Sequence, residues 1–332
     1  MNIVALAGGV GGAKLVDGLA EILPGDFLTV VVNSGDDFDH FGLRVCPDLD
    51  TVCYTLAGIA NPDTGWGRND ETWNALENVE LLGGPTWFRL GDRDLGVHLE
   101  RSRLLAEGKS LSEICLWFCS RWDIKHLILP MTDDRVSTLV HSDEGELPFQ
   151  DYFVRRRCEP EVSGFEFVGS STAIPAPGVL KAVNEADLII ICPSNPWVSI
   201  DPILAVPGLR EKIVENIHRQ VVIAVSPIIK GETIKGPAAK MFREMGITPS
   251  AASVADHYGS IESGGLLSGY VIDNLDAGEQ ASMERLLIPI KITNTIMKNK
   301  LDRINLAREV LAFGRKLFSH RESPSRKDDD HN

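Results

Sequence analysis

Short apolar runs, each closed by glycine, proline or an acid, alternate along this chain with stretches of helical periodicity. The first run covers residues 2–7. It is followed by a glycine-rich turn, an amphipathic helix over 13–23 and a second apolar run over 27–32. That order, strand–turn–helix–strand, predicts a parallel sheet covered by helices on its faces. Helices are predicted over 95–106 and from Ser110, where Glu113 three residues on completes a capping box. A strand at 126–129 ends in Pro130. The same alternation resumes with strands at 187–192, 220–225 and 269–272, and with helices at 209–217, 237–245 and 301–318. Between the two halves, residues 131–180 mix short β-like runs (136–141 and 164–168) with a short segment at 149–157. The expectation is an α/β fold, a doubly wound and mostly parallel sheet built from 1–130 and 181–318. Residues 131–180 form an inserted smaller subdomain, and the polar stretch 319–332 a disordered tail.

Composition narrows the function. The chain has 332 residues, 43% of them hydrophobic, so it can bury a sizeable core. Lys and Arg total 33 against 47 Asp and Glu, a formal net charge of −14. A general nucleic-acid binder needs a basic face, so that class is disfavoured, while a local basic pocket for one phosphorylated small molecule is compatible. The apolar runs, such as 188–192, fall far short of the ~18 residues that span a bilayer. The start of the chain enters a strand at once, which predicts no secretory leader. Cysteines 46, 53, 115, 119, 158 and 192 form no C-x-x-C pair and read as reduced thiols, most of them in the core of a cytoplasmic protein.

Chemistry-bearing residues gather after the strands. Gly8-Gly9-Val10-Gly11-Gly12-Ala13-Lys14 joins the first strand to the first helix, where glycine amides and a helix N-terminus suit a phosphate. A P-loop would need glycine at Ala13 and Ser or Thr at Leu15. A dinucleotide fingerprint would need glycine at Lys14. Neither signature is met. The bland alternative is a turn tight enough for strand–helix packing. Asn33, Ser34, Asp36 and Asp37 follow the second strand, where paired acids can hold Mg²⁺ or simply form an Asx-type turn. In Pro47-Asp48-Leu49-Asp50-Thr51, Asp50 reads as a helix N-cap, or as a general base or metal ligand facing the same cleft. Trp87, Phe88 and Arg89 combine flat rings with a phosphate clamp, although an Arg–Asp ion pair at a helix start is the commoner arrangement. Thr132-Asp133-Asp134-Arg135 repeats the strand-end acids, and Arg155-Arg156-Arg157 reads as a solvated face or a phosphate site. Ser194, Asn195 and Lys230 follow later strands, at the sheet edge where ligands of open α/β sheets bind. No histidine is spaced for a hydrolase triad or a zinc site.

Taken in order, GGVGGAKL (8–15), NSGDDFDHFGLRVCPDLDT (33–51), NPDTGWG (61–67), TWFRLGDRDLG (86–96), PMTDDRVST (130–138), SNPWVSIDPIL (194–204) and SPIIKGETIKGPAAKM (226–241) resemble the CofD family, also called FbiA. The resemblance runs over about 1–318. It implies a Rossmann-like fold, a homodimer, and the 2-phospho-L-lactate transferase reaction of coenzyme F420 biosynthesis. In that reaction a guanosine diphosphate conjugate of lactate or enolpyruvate gives its phospho-acid to the deazaflavin Fo. GMP is released and Mg²⁺ is required. The resemblance further implies Fo binding by Asp50 and Arg89. In that setting Trp66, Trp87 and Phe88 can flank the deazaflavin, and Asp50 can orient or deprotonate its ribityl hydroxyl. Gly9, Gly11, Gly12, Lys14, Asn33, Ser34, Ser194, Asn195 and Lys230 are the candidate nucleotide and phosphate contacts. Asp36, Asp37 and Asp50 are the candidate metal ligands. The alternative is a nucleotide-sugar-binding regulator from a related branch of the superfamily.

Overall fold

The computed structural model of the chain describes residues 1–322. Seven strands form one sheet: β1 (Ile3–Ala7), β2 (Leu28–Val32), β3 (Leu127–Pro130), β4 (Leu188–Ile191), β5 (Val221–Val225), β6 (Gly269–Asp273) and β7 (Ile290–Thr293). All neighbours pair in parallel, in the spatial order β7-β6-β5-β4-β1-β2-β3. The central strand β1 pairs Ile3 with Leu28 on one side and with Leu188 on the other. The strand order reverses there. Chains leaving β1 and β4 diverge to opposite faces, and a crevice opens at their carboxyl ends.

The inner strands are buried on both faces, which is why they read as unbroken apolar runs. Alternate residues of β1 enter two different cores. Ile3, Ala5 and Ala7 pack under α1 (Gly9–Ile22), α2 (Pro47–Leu56) and the closing helix, whereas Val4 and Leu6 face the opposite layer. Helix α3 (Asp92–Ala106) leads to α4 (Leu111–Arg121), whose first turn carries the expected capping box of Ser110 and Glu113. The closing helix, α5 (Lys300–Glu322), runs four residues beyond the expected end, and Arg303 pairs with Asp17 of α1 at 2.9 Å. Residues 323–332, part of the expected tail, lie outside the described residues. Elements not anticipated include β7, a hairpin of Phe38–His40 with Leu43–Val45, and helices at Asn74–Leu81, Val179–Glu185 and Ala251–Tyr258.

Within 131–180 the chain forms a three-stranded antiparallel sheet of Ser137–Ser142, Gly145–Pro148 and Val162–Val168. Its side chains Val136, Val140, Leu147, Phe149, Tyr152 and Val162 belong to the same core as Leu6, Val31 and Ile189 of the main sheet. Among the described residues, no helix is long and apolar enough to cross a membrane.

Candidate active site

The crevice at the reversal point is a cavity of about 840 Å³. One wall is the turn from β1 into α1. Gly8 precedes that helix without a side-chain cap, so the first-turn amides have no intrahelical acceptor. The facing wall is Pro193, Ser194 and Asn195 after β4. The two are laced together: Ser194 Oγ donates to the Gly8 carbonyl at 2.8 Å and accepts from the Gly8 amide at 3.2 Å. A Cβ on Gly12 would stand 2.6 Å from Ser194 Oγ, and one on Gly11 would collide with the Pro193 carbonyl. Both glycines are therefore required by close approach.

Helix α2 brings acids to this wall. Its N-cap is Cys46 and Pro47 occupies the first turn, so Asp50 is not the cap. Proline at the first helical position sets the start one turn earlier than the Asp50 reading assumed. Asp48 instead meets the N-terminus of α1: its Oδ1 accepts from the Gly9 amide at 2.7 Å and its Oδ2 from Asn33 Nδ2 at 2.9 Å. Burial pushes the Asp48 carboxyl up to about 6, although Asn33 and Gly9 pull the other way. Asp36 shares the cavity. Burial first, then the charges of Asp48 and Asp37, raise it well above the ordinary carboxylate range. Its buried Oδ1 has no hydrogen-bond partner.

Asp50 is 6% exposed and ion-paired to Arg101 of α3, itself 1% exposed. Arg101 Nη1 donates to Asp50 Oδ2 at 3.0 Å, and its Nη2 donates to Oδ1. His98 stands between two acids, its Nδ1 3.8 Å from Asp50 Oδ2 and its Nε2 3.5 Å from Asp94 Oδ1. Tyr54 donates to Asp94 at 2.6 Å. Burial pushes Asp94 up, but His98, Tyr54 and Arg101 together hold it below its ordinary value. Asp50, Tyr54, Asp94 and His98 all line the cavity.

The cations are Arg89 and three lysines. Lys14 donates to the Met297 carbonyl at 3.0 Å. Burial lowers its pKa, and the neighbouring Arg303 and Lys235 add to the effect. Lys235 and Lys298 line the same cavity. Aromatic lining comes from Trp66, Phe88, Phe149 and Phe153, the last two from the 131–180 segment.

The sequence matches the family described as 2-phospho-L-lactate transferase CofD over residues 3–287. The chain belongs to the CofD family. A phosphoenolpyruvate transferase of Streptomyces griseus subsp. griseus is 44% identical over 324 residues, covering 94% of this chain and 100% of that protein. One of Thermobifida fusca is 45% identical over 290 residues, 83% of this chain and 88% of the other. A solved structure, a member of the UPF0052 family from Bacillus halodurans, shares the fold with a TM-score of 0.60 at 14% identity. The match covers 93% of this chain and 98% of that one.

Of the residues singled out in this CofD-family sequence, Gly9, Gly11, Lys14, Asp36, Asp50, Phe88, Arg89, Ser194 and Asn195 meet at the cavity. Others stand behind it. Asn33 is fully buried and spends its amide on Asp48 and the Val198 carbonyl. Ser34 and Asp37 are buried beside the wall, and Gly12 packs on Ser194. Trp87 packs against Phe38, His40 and Phe88 in an aromatic cluster. Lys230 is exposed, its backbone amide held by Asp276 at 2.7 Å. Arg89 is exposed and stacks on Trp73 at 4.3 Å. Sequence reasoning missed Arg101 and His98 as partners of Asp50, and it also missed Lys235 and Lys298. His98 and Arg101 lie four and seven residues after Asp94, on one face of α3, a spacing that was there to be read.

Proposed function

We propose that the protein transfers a phosphoenolpyruvyl or phospholactyl group from a guanosine diphosphate conjugate to a hydroxyl of the deazaflavin Fo. An oxygen–phosphorus bond forms to the acceptor, the diphosphate bridge breaks, and GMP leaves with the bridging oxygen. Family membership supports the transferase class. The observation that carries the reading is one cavity that combines helix-N-terminal amides, three lysines and strongly raised carboxylates under aromatic walls. Such transfer needs in-line positioning and neutralisation of phosphate charge more than covalent catalysis.

In this reading the amides after Gly8 and the Lys14 ammonium receive donor phosphate, and Lys235 and Lys298 add positive potential. Trp66, Phe88 and Phe149 cover the flat acceptor, and Arg89 closes over it. A divalent cation fits the acids present, because the Asp48 charge adds to the burial that raises Asp36 and an Asp36 oxygen is unpartnered. Mg²⁺ commonly takes one or two carboxylates and completes its shell with water and substrate phosphates. Asp36 and Asp48 would hold it, and it would supply charge neutralisation to the diphosphate. Asp50 carries Arg101 and Asp37 stands off the cavity, so neither is assigned as a ligand. Asp50 is assigned to the acceptor hydroxyl, with His98 beside it as the route for the proton. A cytoplasmic homodimer accompanies this reading.

The test is incubation of the purified protein with Fo, Mg²⁺ and either the lactyl or the enolpyruvyl donor, with mass detection of product and GMP. A phosphodiester of Fo should appear together with GMP only when donor and acceptor are both present. GMP release without Fo, or no product with any three-carbon donor, would refute the assignment. Arg89→Ala should lower kcat/KM about 10- to 150-fold, the range of one charged hydrogen bond, and Arg89→Lys should not restore a bidentate contact.

A further inference from the structure

Outside the cleft, three thiols converge where α2 packs on α4. Cys115 and Cys119 stand four residues apart on one face of α4, and Cys53 of α2 faces them. Their sulfurs all lie within 4.8 Å of one another, with Cys53 Sγ 3.8 Å from Cys119 Sγ. All three are buried, and all six cysteines of the chain are free thiols. A void of about 10 Å³ touches Cys53 and Cys115, is walled mainly by Leu49, Leu111, Ile114, Phe118 and Trp122, and borders the Asp50–Arg101 pair. That is the volume of about one small sphere.

We propose that Cys53, Cys115 and Cys119 form a three-thiolate site for one thiophilic cation, with copper(I) preferred to zinc. A metal–sulfur bond of ~2.3 Å at the centre of a trigonal set separates the sulfurs by about 4 Å, close to the spacing present. Thiolate ligands select soft cations. Zinc in structural sites takes four ligands, and among the described residues no fourth His, Cys, Asp or Glu joins the cluster. Ligation requires all three sulfurs as thiolates. Binding displaces the thiol protons to solvent and involves no change of oxidation state. The bound cation would tie α2, which carries Asp48 and Asp50, to α4.

The experiment titrates anaerobic, reduced full-length protein with copper(I), and in a parallel arm with Zn²⁺, against a competing chelator. Bound metal is counted after desalting. One equivalent of copper(I) should be retained, lost in Cys119→Ser and unchanged in Cys158→Ser. Alkylation mapped by mass spectrometry on the wild-type chain gives a readout independent of any variant's folding. Cys53, Cys115 and Cys119 should be protected by copper(I), and Cys158 should not. Full retention in a folded Cys119→Ser protein, or equal alkylation with and without the cation, would overturn the site. Tighter retention of zinc than of copper(I) would overturn the trigonal assignment.

Discussion

Asp50 and Arg101 are two charges removed from water together, and their bond decides what substitutions at this position report. Removing one partner of such a buried pair strands the other, at a cost of about 3–5 kcal/mol. Asp50→Asn should therefore lower stability in denaturant unfolding by roughly that amount, as well as abolishing turnover. Asp50→Asn combined with Arg101→Met should regain most of the stability and none of the activity. Equal stability of the single variant and the wild type would mean that Arg101 finds another partner. Asp37 gives a second residue-scale expectation, with the opposite charge logic. Burial pushes its carboxyl up to about 7 from an ordinary 3.8. The folded chain thus keeps a proton that the unfolded chain releases between those values. Stability from this group is full below the unfolded value and is lost as pH rises through the folded one. The melting temperature of the ligand-free protein should fall between about pH 4 and pH 7, and Asp48, raised to about 6, acts in the same sense. Asp37→Asn should flatten the curve and sit above the wild type near pH ~8. Parallel curves for the two proteins would refute the burial argument.

At the scale of elements, the turn between β1 and α1 works by contact rather than by flexibility. A methyl group at Gly11 meets the Pro193 carbonyl across the crevice, so Gly11→Ala must push the β1 and β4 turns apart. Overpacking of this kind costs about 1–3 kcal/mol, and the loss of turnover should exceed what that destabilisation explains. Gly96, inside α3 with nothing within 4 Å of its Cβ position, is the contrast: Gly96→Ala should stabilise by about 0.5–1 kcal/mol. Differential unfolding of the two variants measures both. The same scale explains what could be read from sequence. The strands β1, β2, β4, β5 and β6 are buried runs bounded by turn residues, and α4 announces itself by its capping box, so each was legible. β7 was not, because Ile290–Thr293 is a half-exposed edge strand of four residues in which Lys291 and Thr293 interrupt the apolar run. The site divided in the same way. Residues that touch the cavity through a turn, such as Gly9, Gly11 and Ser194, follow directly from strand ends. Asp48 and Asp50 differ by two positions on a helix and therefore point in different directions, one to the α1 amides and the other to Arg101. No local pattern assigns those directions, since they depend on where α1 and α3 are packed.

For the whole molecule, the question is whether residues 131–180 are a separable subdomain or part of the one fold. Their antiparallel sheet has local pairing of its own, but its apolar side chains do not close on themselves. Val140, Leu147, Phe149 and Tyr152 complete the layer over Leu6, Val31 and Ile189. The segment is also tied at its base, where Thr132 pairs with Pro175 and the Thr138 amide donates to the Gly35 carbonyl at 2.7 Å. Gln150 reaches the backbone of Asp36, and Phe149 and Phe153 form part of the cavity wall. Each buried aliphatic or aromatic side chain lost from this layer removes about 1.5–3 kcal/mol of transfer free energy, so losing several exceeds the stability of a typical domain. Replacing residues 134–173 by a short Gly/Ser linker should therefore abolish the cooperative unfolding transition rather than leave a smaller folded core. Calorimetry and urea titration of the shortened chain provide the measurement. A single sharp transition with native-like near-ultraviolet dichroism would show that the seven-stranded sheet stands without the insertion. The cavity wall would then be dispensable to a self-sufficient α/β sheet. Loss of the transition would mean that the sheet and the wall over its ligand crevice fold as one unit, so that substitutions in the 137–168 strands would weaken substrate binding and stability together.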